Sequence, residues 1–385
     1  MFPYLFHDLR FWVIIVIATV WLLRARQALK TLLVVPRVIP GQIQPTSEAE
    51  LLSVVIPAKN EEKNIGPCLD SLLAQKHCRL QIIVANDSSD DQTEAILKSY
   101  GDQIEYVNVP STPKGWTGKT HAIDHAVKQA KGHWLLFTDA DTRHAPNGVA
   151  AALEHAKSRD LDFLTLLPRC ITHSLAEDTI QPTAMALLGL WFPLDKANNP
   201  RSSVYFGNGQ FILMNKKLYE ATGGHQDKHI RGEYLEDFAL MKKTKELNKR
   251  AECAFGPEVY GTQMYDSFKR IWQGWRRIYL HAFKQNPWKL ARHAFLTLIF
   301  SVVPFAGWLV LMDSYLHTRK VTDPFLLGFL GAILIFIWII AWRSYAMVKA
   351  KAWYALAHPV AATIVAMILL DASFMAAQKT ETKWR

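Results

Sequence analysis

The chain has 385 residues and a formal net charge of +10, and half of its residues are hydrophobic. That length allows a core domain with further segments attached to it. The four cysteines form no CxxC pair, so neither a zinc site nor a disulfide framework is indicated, which suits a reducing compartment. The cysteines are Cys68, Cys78, Cys170 and Cys253.

The first predicted element is an apolar run at residues 11–23, followed by the basic residues Arg24, Arg26 and Lys30. A cleavable signal peptide carries its positive charge before the apolar run and small residues after it. Because the order here is reversed, residues 1–35 are predicted to form an uncleaved membrane anchor. By the positive-inside rule, the basic residues place the segment that follows in the cytoplasm.

Strand and helix patterns alternate between about residues 50 and 265. Short apolar runs predict strands, and apolar residues at helical spacing follow them. The strand runs are 52–56, 81–86, 104–109, 133–137 and 162–167. Such alternation is typical of an α/β domain with a mainly parallel sheet flanked by helices. Ligands of these sheets bind beyond the carboxyl ends of the strands, so the residues just after each strand matter most.

The stretch PKGWTGKTHA, residues 113–122, contains the last three letters of a phosphate-binding P-loop. That loop needs a glycine five positions before Gly118, where this chain has Pro113, which lacks an N–H group. An ATPase loop is therefore disfavoured. Lys119 at a predicted helix start still favours an anion such as a diphosphate, although a solvated lysine in a glycine-rich turn remains the alternative.

Acidic residues follow three of the predicted strands, at residues 59–62, 86–91 and 138–141. Carboxylates gathered at one sheet edge repel one another unless a cation or sugar hydroxyls lie between them. Asp139 and Asp141 fit a hard divalent ion, Mg²⁺ or Mn²⁺, held by a few carboxylates and by substrate phosphates. Taken alone, the Asp-x-Asp pair is more often a turn with capping acids.

A basic, aromatic segment is predicted at residues 266–292 and is expected to lie on anionic lipid. A nucleic-acid surface is disfavoured by the neighbouring apolar segments, and a solvated helix face is the other alternative. Its basic residues are Lys269, Arg270, Arg276, Arg277, Lys284, Lys289 and Arg292, and its aromatic residues include Trp272, Trp275, Tyr279 and Trp288.

Three uncharged stretches, 294–312, 325–342 and 353–370, are each long enough to cross a bilayer. Residues 293–376 are therefore predicted to form three transmembrane helices. The loop with Arg343, Lys349 and Lys351 then returns to the cytoplasm, as the positive-inside rule requires, whereas Arg319 and Lys320 lie outside, against it. A transporter is disfavoured because these stretches contain few ionisable residues, with Asp371 the main exception.

Five motifs occur in an order and spacing that resemble family 2 glycosyltransferases of the GT-A fold, over about residues 50–280. They are SVVIPAKNEE, IIVANDSSDDQT, LLFTDAD, GNGQFILMNKKLYEATGGH and LEDFAL. The stretch GWTGK resembles the bacterial membrane-bound subgroup that includes hopanoid-associated and carotenoid glycosyltransferases. The resemblance implies a GT-A catalytic domain, placed at residues 50–265.

The resemblance also implies roles for individual residues. Pro57, Lys59, Glu61 and Asp87 would hold the nucleoside of a nucleotide-sugar, commonly uridine. Lys119 would lie near the diphosphate. Asp139 would contact the ribose or the metal, and Asp141 would bind the metal.

Asp237 falls where the family has its catalytic base, and its neighbour Glu236 is set aside on the resemblance alone. Direct displacement at the anomeric carbon requires the acceptor hydroxyl to lose its proton as it attacks. Without a second carboxylate acting as nucleophile, the expected outcome is inversion. An exposed acidic helix turn is the alternative interpretation of both residues.

Two departures from the family pattern bear on the expected product and on the expected nucleoside contact. Polysaccharide-making members carry Gln-x-x-Arg-Trp, whereas residues 273–277 here are QGWRR, which disfavours a polysaccharide synthase. Lys59 stands where many members have an aromatic residue, which puts a base-stacking contact in doubt. The histidines near the motifs are interpreted as ordinary polar residues, and His225, which follows Gly223 and Gly224, is the best candidate among them to touch an acceptor.

The sequence therefore predicts a metal-dependent inverting glycosyltransferase, multi-pass in the cytoplasmic membrane, with its catalytic domain in the cytoplasm. It would move one sugar from a UDP-sugar to a lipid or isoprenoid-derived acceptor, and no nucleic-acid partner is expected. The alternatives are a polysaccharide synthase and an inactive GT-A-fold protein that serves as a membrane assembly factor.

Overall fold

The computed structural model describes residues 8–41, 50–318 and 323–379. These residues form two compact units. The α/β unit contains Leu33–Ile171 and Phe192–Met264, and the helical unit contains the described residues up to Leu32, Thr172–Trp191 and those from Tyr265 onward. Residues 1–7 of the expected anchor, and Arg319 and Lys320, lie outside the described residues.

The α/β unit contains ten strands, which form a seven-stranded sheet and a three-stranded sheet among the described residues. The strands are β1 Leu51–Ala58, β2 Arg79–Asn86, β3 Glu105–Asn108, β4 Trp134–Phe137, β5 Thr142–His144, β6 Phe163–Leu167, β7 Arg169–Cys170, β8 Ile212–Asn215, β9 Ala251–Phe255 and β10 Tyr260–Thr262.

The large sheet has the order β3-β2-β1-β4-β8-β6-β9 and is mainly parallel. Strand β8 is the exception, since it pairs antiparallel with both β4 and β6. The small sheet has the order β5-β10-β7. All five strands expected from the apolar runs are present, so the prediction of a mainly parallel α/β sheet is confirmed.

The apolar residues of β1 explain why this strand lies inside the sheet. Seven of its eight residues are buried, and it pairs parallel with β2 on one side and β4 on the other. A strand covered on both faces has a continuous apolar run instead of an alternating one. Leu52, Val54 and Ile56 accordingly enter one continuous hydrophobic core.

Helices cover the sheet of this unit. They are α2 Ile65–Leu73, α3 Thr93–Ser99, α4 Gly118–Val127, α5 Gly148–Ser158, α7 Leu194–Ala197, α8 Lys216–Ala221 and α9 Glu236–Glu246. Short 3₁₀ helices occur at Gly101–Gln103 and Gly224–Gln226.

The helical unit consists of α1 Leu9–Val34, α6 Leu175–Trp191, α10 Phe268–Ala282, α11 Pro287–Ser301, α12 Val303–Thr318, α13 Asp323–Met347 and α14 His358–Ala377, with a 3₁₀ helix at Ala352–Ala357. On α1, Ile14, Ile17 and Trp21 are buried in a cluster with apolar residues of α13 such as Leu330. The expected apolar N-terminal helix is thus present.

Three helical stretches among the described residues are long and apolar enough to cross a membrane: Pro287–His317, Pro324–Met347 and Ala352–Ala377. They coincide with the three C-terminal spans expected from the sequence. Helix α1 is not among them, so its role as a membrane anchor stays a prediction. The first stretch is broken at Val302, just before Pro304, whose missing N–H group cannot continue the helical hydrogen bonds.

The basic, aromatic segment behaves only partly as expected. Its helix α10 buries Trp275 and Tyr279 inside the helical unit, so these two residues do not form an exposed surface. Trp288 is 83% exposed, as a surface residue should be. The Trp272 indole N–H and the Arg276 guanidinium both donate to Asp371 Oδ2, at 2.6 and 3.0 Å.

The close approach of Gly132 to the backbone of β1 can be tested by substitution. A Cβ atom at this position would lie 2.6 Å from Ser53 N and 2.7 Å from Leu51 O. Because those atoms belong to the backbone of β1, we expect Gly132→Ala to cost about 1–3 kcal/mol of stability by overpacking. The measurement is the midpoint of thermal unfolding of the full chain in nanodiscs.

Gly66→Ala is the matched control, because a Cβ there meets only Tyr100 Oη at 3.6 Å and Ile96 Cγ2 at 3.9 Å. Gly66 lies in α2, where alanine is favoured over glycine by about 0.5–1 kcal/mol. Gly66→Ala should therefore unfold at the wild-type temperature or above it. Equal midpoints for the two variants would contradict the close approach at Gly132.

Candidate active site

Two predicted site residues meet where β1 and β2 end side by side. Ala58 pairs with Asn86 in parallel register, so the loops that follow the two strands leave the same edge of the sheet. The Lys59 ammonium lies 3.2 Å from Asp87 Oδ2, and Asp87 is only 2% exposed. The chain itself therefore supplies a cation for this carboxylate.

Pro57 and Glu61, the other two residues expected at this edge, do not take part in the Lys59–Asp87 ion pair. Pro57 is a buried residue of β1. Glu61 turns toward its own loop, where its Oε2 accepts a hydrogen bond from Asn64 Nδ2 at 2.8 Å. The Glu61 backbone N–H donates to Thr93 Oγ1, which ties the loop after β1 to the start of α3.

Helix α4 begins where its sequence provides a cap. The Thr117 hydroxyl accepts from the backbone N–H of Thr120, and the Thr120 hydroxyl accepts from the backbone N–H of Thr117. This reciprocal cap satisfies two N–H groups that the first turn leaves without helical partners. Lys119 is thereby fixed in the first turn of α4, as the sequence predicts.

The Lys119 side chain is held between two carboxylates from different parts of the chain. Its Nζ lies 2.9 Å from Asp139 Oδ1 and 2.8 Å from Glu236 Oε1, and the side chain is 17% exposed. Burial lowers the pKa of Lys119, but the attraction of Asp139, Glu236 and Asp237 outweighs it, so the pKa lies above its ordinary value. Lys119 is therefore a fixed positive charge.

Glu236 and Asp237 form the first turn of α9, and both are buried. Asp237 Oδ2 accepts from the backbone N–H of Gly209 at 2.7 Å, and Oδ1 accepts from the N–H of Phe238. Burial, together with repulsion by Glu236, raises the pKa of Asp237 above its ordinary value, although Lys119 acts in the opposite direction. The alternative interpretation as an exposed acidic turn is wrong.

Two glycines allow this close arrangement. A Cβ at Gly207 would lie 2.4 Å from the backbone oxygen of Asp237. A Cβ at Gly209 would lie 2.9 Å from Lys119 Nζ and 3.2 Å from Glu236 Oε1. The GNG sequence at residues 207–209 therefore brings the chain against both the lysine and the carboxylates.

Asp139 and Asp141 follow β4, where the sequence suggests a metal. Thr262 Oγ1 lies 3.4 Å from Asp141 Oδ1, and Asp139 engages Lys119. In the part of the chain that the structure describes, no group of three His, Cys, Asp or Glu side chains could hold a metal ion. Asp139 and Asp141 can therefore hold Mg²⁺ or Mn²⁺ only if substrate phosphates supply further ligands to the ion.

Lys119 is one of the residues that line a small cavity. Pro57, Asp139, Gly209 and Glu236 line it, and His225 lies against it from the 3₁₀ helix Gly224–Gln226. Glu61, Asp87 and Asp141 are not among its lining residues. His225 is 1% exposed, so the expectation that it touches an acceptor is not supported.

The sequence did not reveal Glu236 as a partner of Lys119 or His225 as a buried neighbour of the site. For Glu236 the sequence offers only its position next to Asp237, because its partner Lys119 lies 117 positions earlier in the chain. For His225 it offers only the two glycines that precede this residue.

Parts of the chain are similar to known proteins. The family model for glycosyl transferase family 2 matches residues 53–223. The 4,4'-diaponeurosporenoate glycosyltransferase of Staphylococcus aureus is 30% identical over 234 residues, which cover 59% of this chain and 60% of that protein. The match thus spans less than two thirds of the length of the curated relative.

A solved structure resembles almost the whole chain. It is the mannosyltransferase PcManGT of Pyrobaculum calidifontis, solved in complex with GDP-Man and Mn²⁺. The two share 19% sequence identity, with a TM-score of 0.56 over 96% of this chain and 99% of the other. This likeness concerns the fold.

The mainly parallel sheet and its flanking helices have the GT-A fold. Residues 53–223, which are less than half of the chain, match glycosyl transferase family 2. The relationship expected from the five motifs, including the likeness to carotenoid glycosyltransferases, is confirmed.

Proposed function

We propose that this protein is a metal-dependent inverting glycosyltransferase that moves one sugar from a nucleotide-sugar, a UDP-sugar, to a lipid or isoprenoid-derived acceptor. The observation that carries the proposal is the group formed by the partly exposed Lys119 and Asp139 with the buried Glu236 and Asp237, which combines a fixed cation with a carboxylate of raised pKa. An inactive assembly factor would have no need to maintain such a costly arrangement of buried charges.

Asp237 is the proposed general base. As the acceptor oxygen attacks the anomeric carbon, its proton passes to Asp237, and the bond from that carbon to the diphosphate oxygen breaks. A base works best when its pKa is close to the working pH, and burial moves the pKa of Asp237 in that direction. The N–H of Gly209 orients the carboxylate through a hydrogen bond of 2.7 Å.

The other site residues are proposed to hold the donor. Lys119 faces the diphosphate, whose charge it complements. Pro57, Lys59, Glu61 and Asp87 hold the nucleoside, with the Lys59–Asp87 ion pair in place of an aromatic stacking residue. Asp139 contacts ribose or metal.

Asp141 is the proposed metal ligand, assisted by Asp139 and by the donor's phosphates. A bound Mg²⁺ or Mn²⁺ would neutralise charge on the departing diphosphate. PcManGT, which shares the fold, was solved with GDP-Man and Mn²⁺, and this supports both a nucleotide-sugar donor and a divalent metal.

The acceptor proposal follows from the apolar helices and from the relative. Three described helices are apolar enough to cross a membrane, and the S. aureus relative is named for a carotenoid-type acceptor. We place the protein in the cytoplasmic membrane with its α/β unit facing the cytoplasm. That side follows from Arg24, Arg26 and Lys30, which come after the apolar run 11–23 in the second half of α1, by the positive-inside rule.

The activity test uses the full chain in nanodiscs with bacterial lipid extract, radiolabelled UDP- and GDP-sugars and Mn²⁺. We expect label to enter the organic phase, and Asp237→Asn to reduce that rate at least about 100-fold, because a general base contributes about 10²–10⁴-fold. Asp160→Asn is the matched control, since Asp160 is an exposed carboxylate paired with Arg250.

The outcomes of that assay separate the candidate functions. Near-normal turnover by Asp237→Asn would remove it as the base. Label that stays in water-soluble polymer would favour a polysaccharide synthase. A wild-type protein that binds a nucleotide-sugar without transferring it to any acceptor would favour the assembly factor.

Chelation tests the metal. EDTA should abolish transfer, and Mn²⁺ or Mg²⁺ in excess should restore it. Asp141→Asn should need about tenfold more Mn²⁺ for half-maximal activity, because it loses one charged ligand worth about 1.4 kcal/mol. Turnover that is indifferent to EDTA would contradict the metal role of both aspartates.

The pH dependence tests the link between Glu236 and Asp237. Asp237 acts only when ionised, so activity should fall as the pH drops through a pKa above that of an ordinary carboxyl group. Glu236 raises that pKa, and Glu236→Gln should therefore move the acid limb of the kcat/KM profile to lower pH. An unmoved limb, or one moved to higher pH, would show that another group controls it.

A further inference from the structure

The turn that carries Asp139 and Asp141 is packed against a cluster of buried polar side chains. Each member of this cluster is at most 7% exposed. The members are Thr138, Thr142, His144, Gln210 and Thr262. The proposed transfer gives none of them a role, although they adjoin both aspartates that are proposed to meet the metal.

Thr142 closes the turn with two hydrogen bonds. The backbone carbonyl of Asp139 accepts from the Thr142 N–H at 3.3 Å and from the Thr142 hydroxyl at 2.8 Å. The N–H bond is long, so the hydroxyl makes the closer of the two contacts. Since Asp141 lies between these residues, the Thr142 hydroxyl restricts the backbone of both aspartates.

His144 Nε2 lies between two hydroxyl groups, at 3.1 Å from Thr142 Oγ1 and 3.3 Å from Thr138 Oγ1. The Thr138 hydroxyl donates to the backbone carbonyl of Gln210 at 2.8 Å, just as the Thr142 hydroxyl donates to that of Asp139. A hydroxyl has one hydrogen, and a carbonyl can only accept. If Nε2 carried no hydrogen, it would lack a partner unless one hydroxyl gave up its carbonyl. The arrangement that satisfies all these groups therefore places the hydrogen on Nε2.

The other side of the His144 ring agrees with this assignment. Nδ1 has no hydrogen-bond partner among the described residues, so a hydrogen placed there would leave both ring nitrogens unsatisfied. Burial, followed by repulsion from Arg143, lowers the pKa of His144 to about 3, which keeps the ring neutral. The ring is stacked on Tyr260, with an interplanar angle of 19° and centroids 5.8 Å apart, because the two residues are opposite each other in β5 and β10.

The cluster also reaches the side chain of Asp141. Gln210 Nε2 donates to Thr262 Oγ1 at 3.1 Å, so the hydrogen of that hydroxyl can point to Asp141 Oδ1, 3.4 Å away. Gln210 thus takes part twice, since its carbonyl accepts from Thr138 and its amide donates to Thr262. The backbone of the turn and one of its carboxylates are therefore tied to the same buried cluster.

We propose that His144 is a positioning residue that orders the turn of Asp139 and Asp141 for the metal. Its Nε2–H bonds to the hydroxyls of Thr138 and Thr142, which leaves both hydroxyls to donate to backbone carbonyls and so holds the turn in one conformation. The inference deepens the proposed function and rests on it, because the two aspartates are the proposed metal ligands. Groups that orient metal ligands in this way change metal affinity by about 10–100-fold. His144 acts through the turn and takes no part in the proton transfer.

Two pairs of substitutions remove or keep the hydrogen bonds in question. His144→Phe keeps a ring against Tyr260 and loses the Nε2–H, whereas the amide of His144→Gln can reach the position of Nε2. Thr142→Val keeps the shape of the side chain and loses the hydroxyl, whereas Thr142→Ser keeps the hydroxyl.

Thr244→Val is the matched control for the loss of a buried hydroxyl. Thr244 is fully buried, and its hydroxyl donates to the backbone carbonyl of Leu240 at 2.9 Å near the end of α9. Thermal unfolding of all five variants in nanodiscs reports the purely structural cost.

The first measurement is the affinity for Mn²⁺, by equilibrium dialysis of radiolabelled Mn²⁺ against the full chain in phosphatidylcholine nanodiscs. Excess UDP is present in both chambers, and empty nanodiscs give the background. We expect His144→Phe and Thr142→Val to bind Mn²⁺ about tenfold more weakly or worse, since the ligand-bearing turn is no longer held. His144→Gln and Thr142→Ser should stay within about threefold of wild type, and Thr244→Val should match wild type.

Other results would overturn the inference. Wild-type affinity in His144→Phe would show that the turn does not need the ring. Losses in His144→Gln and Thr142→Ser as large as those in their partner variants, or an equal loss in Thr244→Val, would mean a structural role only. A wild-type protein that retains no Mn²⁺ in the presence of UDP would refute the metal role in the proposed function itself, and this inference would fail with it.

The second measurement uses the wild-type chain and needs neither nucleotide nor metal. ¹⁵N-histidine NMR, with the His144 signals assigned by their loss in His144→Gln, should show a neutral Nε2–H tautomer between about pH 6 and 8, where an ordinary histidine titrates. An Nδ1–H tautomer, or protonation in that range, overturns the inference whatever the Mn²⁺ result.

Discussion

The arrangement of the site depends on one buried cation. Lys119 contacts Asp139 from the end of β4 and Glu236 from the start of α9, so a single ammonium group joins segments that are far apart in sequence. Because solvent reaches these side chains only in part, removing one of them leaves the charge of its partner poorly compensated. Each of the three side chains is therefore constrained by the other two.

That constraint explains why carboxylates can gather at one edge of the sheet. The sequence suggested that they would repel one another unless a bound ion or sugar lay between them. The structure shows that the chain's own lysines reduce this repulsion, since Lys59 pairs with Asp87 and Lys119 with Asp139. Among the described residues Asp237 forms no ion pair with a lysine; burial and repulsion by Glu236 raise its pKa, although Lys119 acts in the opposite direction.

The fold could be predicted because its signals are local. The run at 52–56 is apolar on both faces, as a central strand requires, and Thr117 with Thr120 forms a helix cap that fixes Lys119. Glu236 could not be predicted as the partner of Lys119, because nothing in the sequence states how α4 and α9 approach. Gly209 could not be interpreted either, since its importance depends on atoms that other segments bring within 3.5 Å.

The basic, aromatic segment shows the same limit in the helical unit. Its composition indicated a surface, yet Trp275 and Tyr279 are buried, and Arg276 with Trp272 is directed toward Asp371. A carboxylate in an otherwise apolar helix is costly unless charged or hydrogen-bonding groups surround it. One part of the segment, Trp272 and Arg276, satisfies an acid within the unit, whereas Trp288 is exposed. That the exposed part lies on a membrane surface stays a prediction. Composition alone cannot say which basic and aromatic residues of the segment are buried and which are exposed, because that depends on three-dimensional contacts.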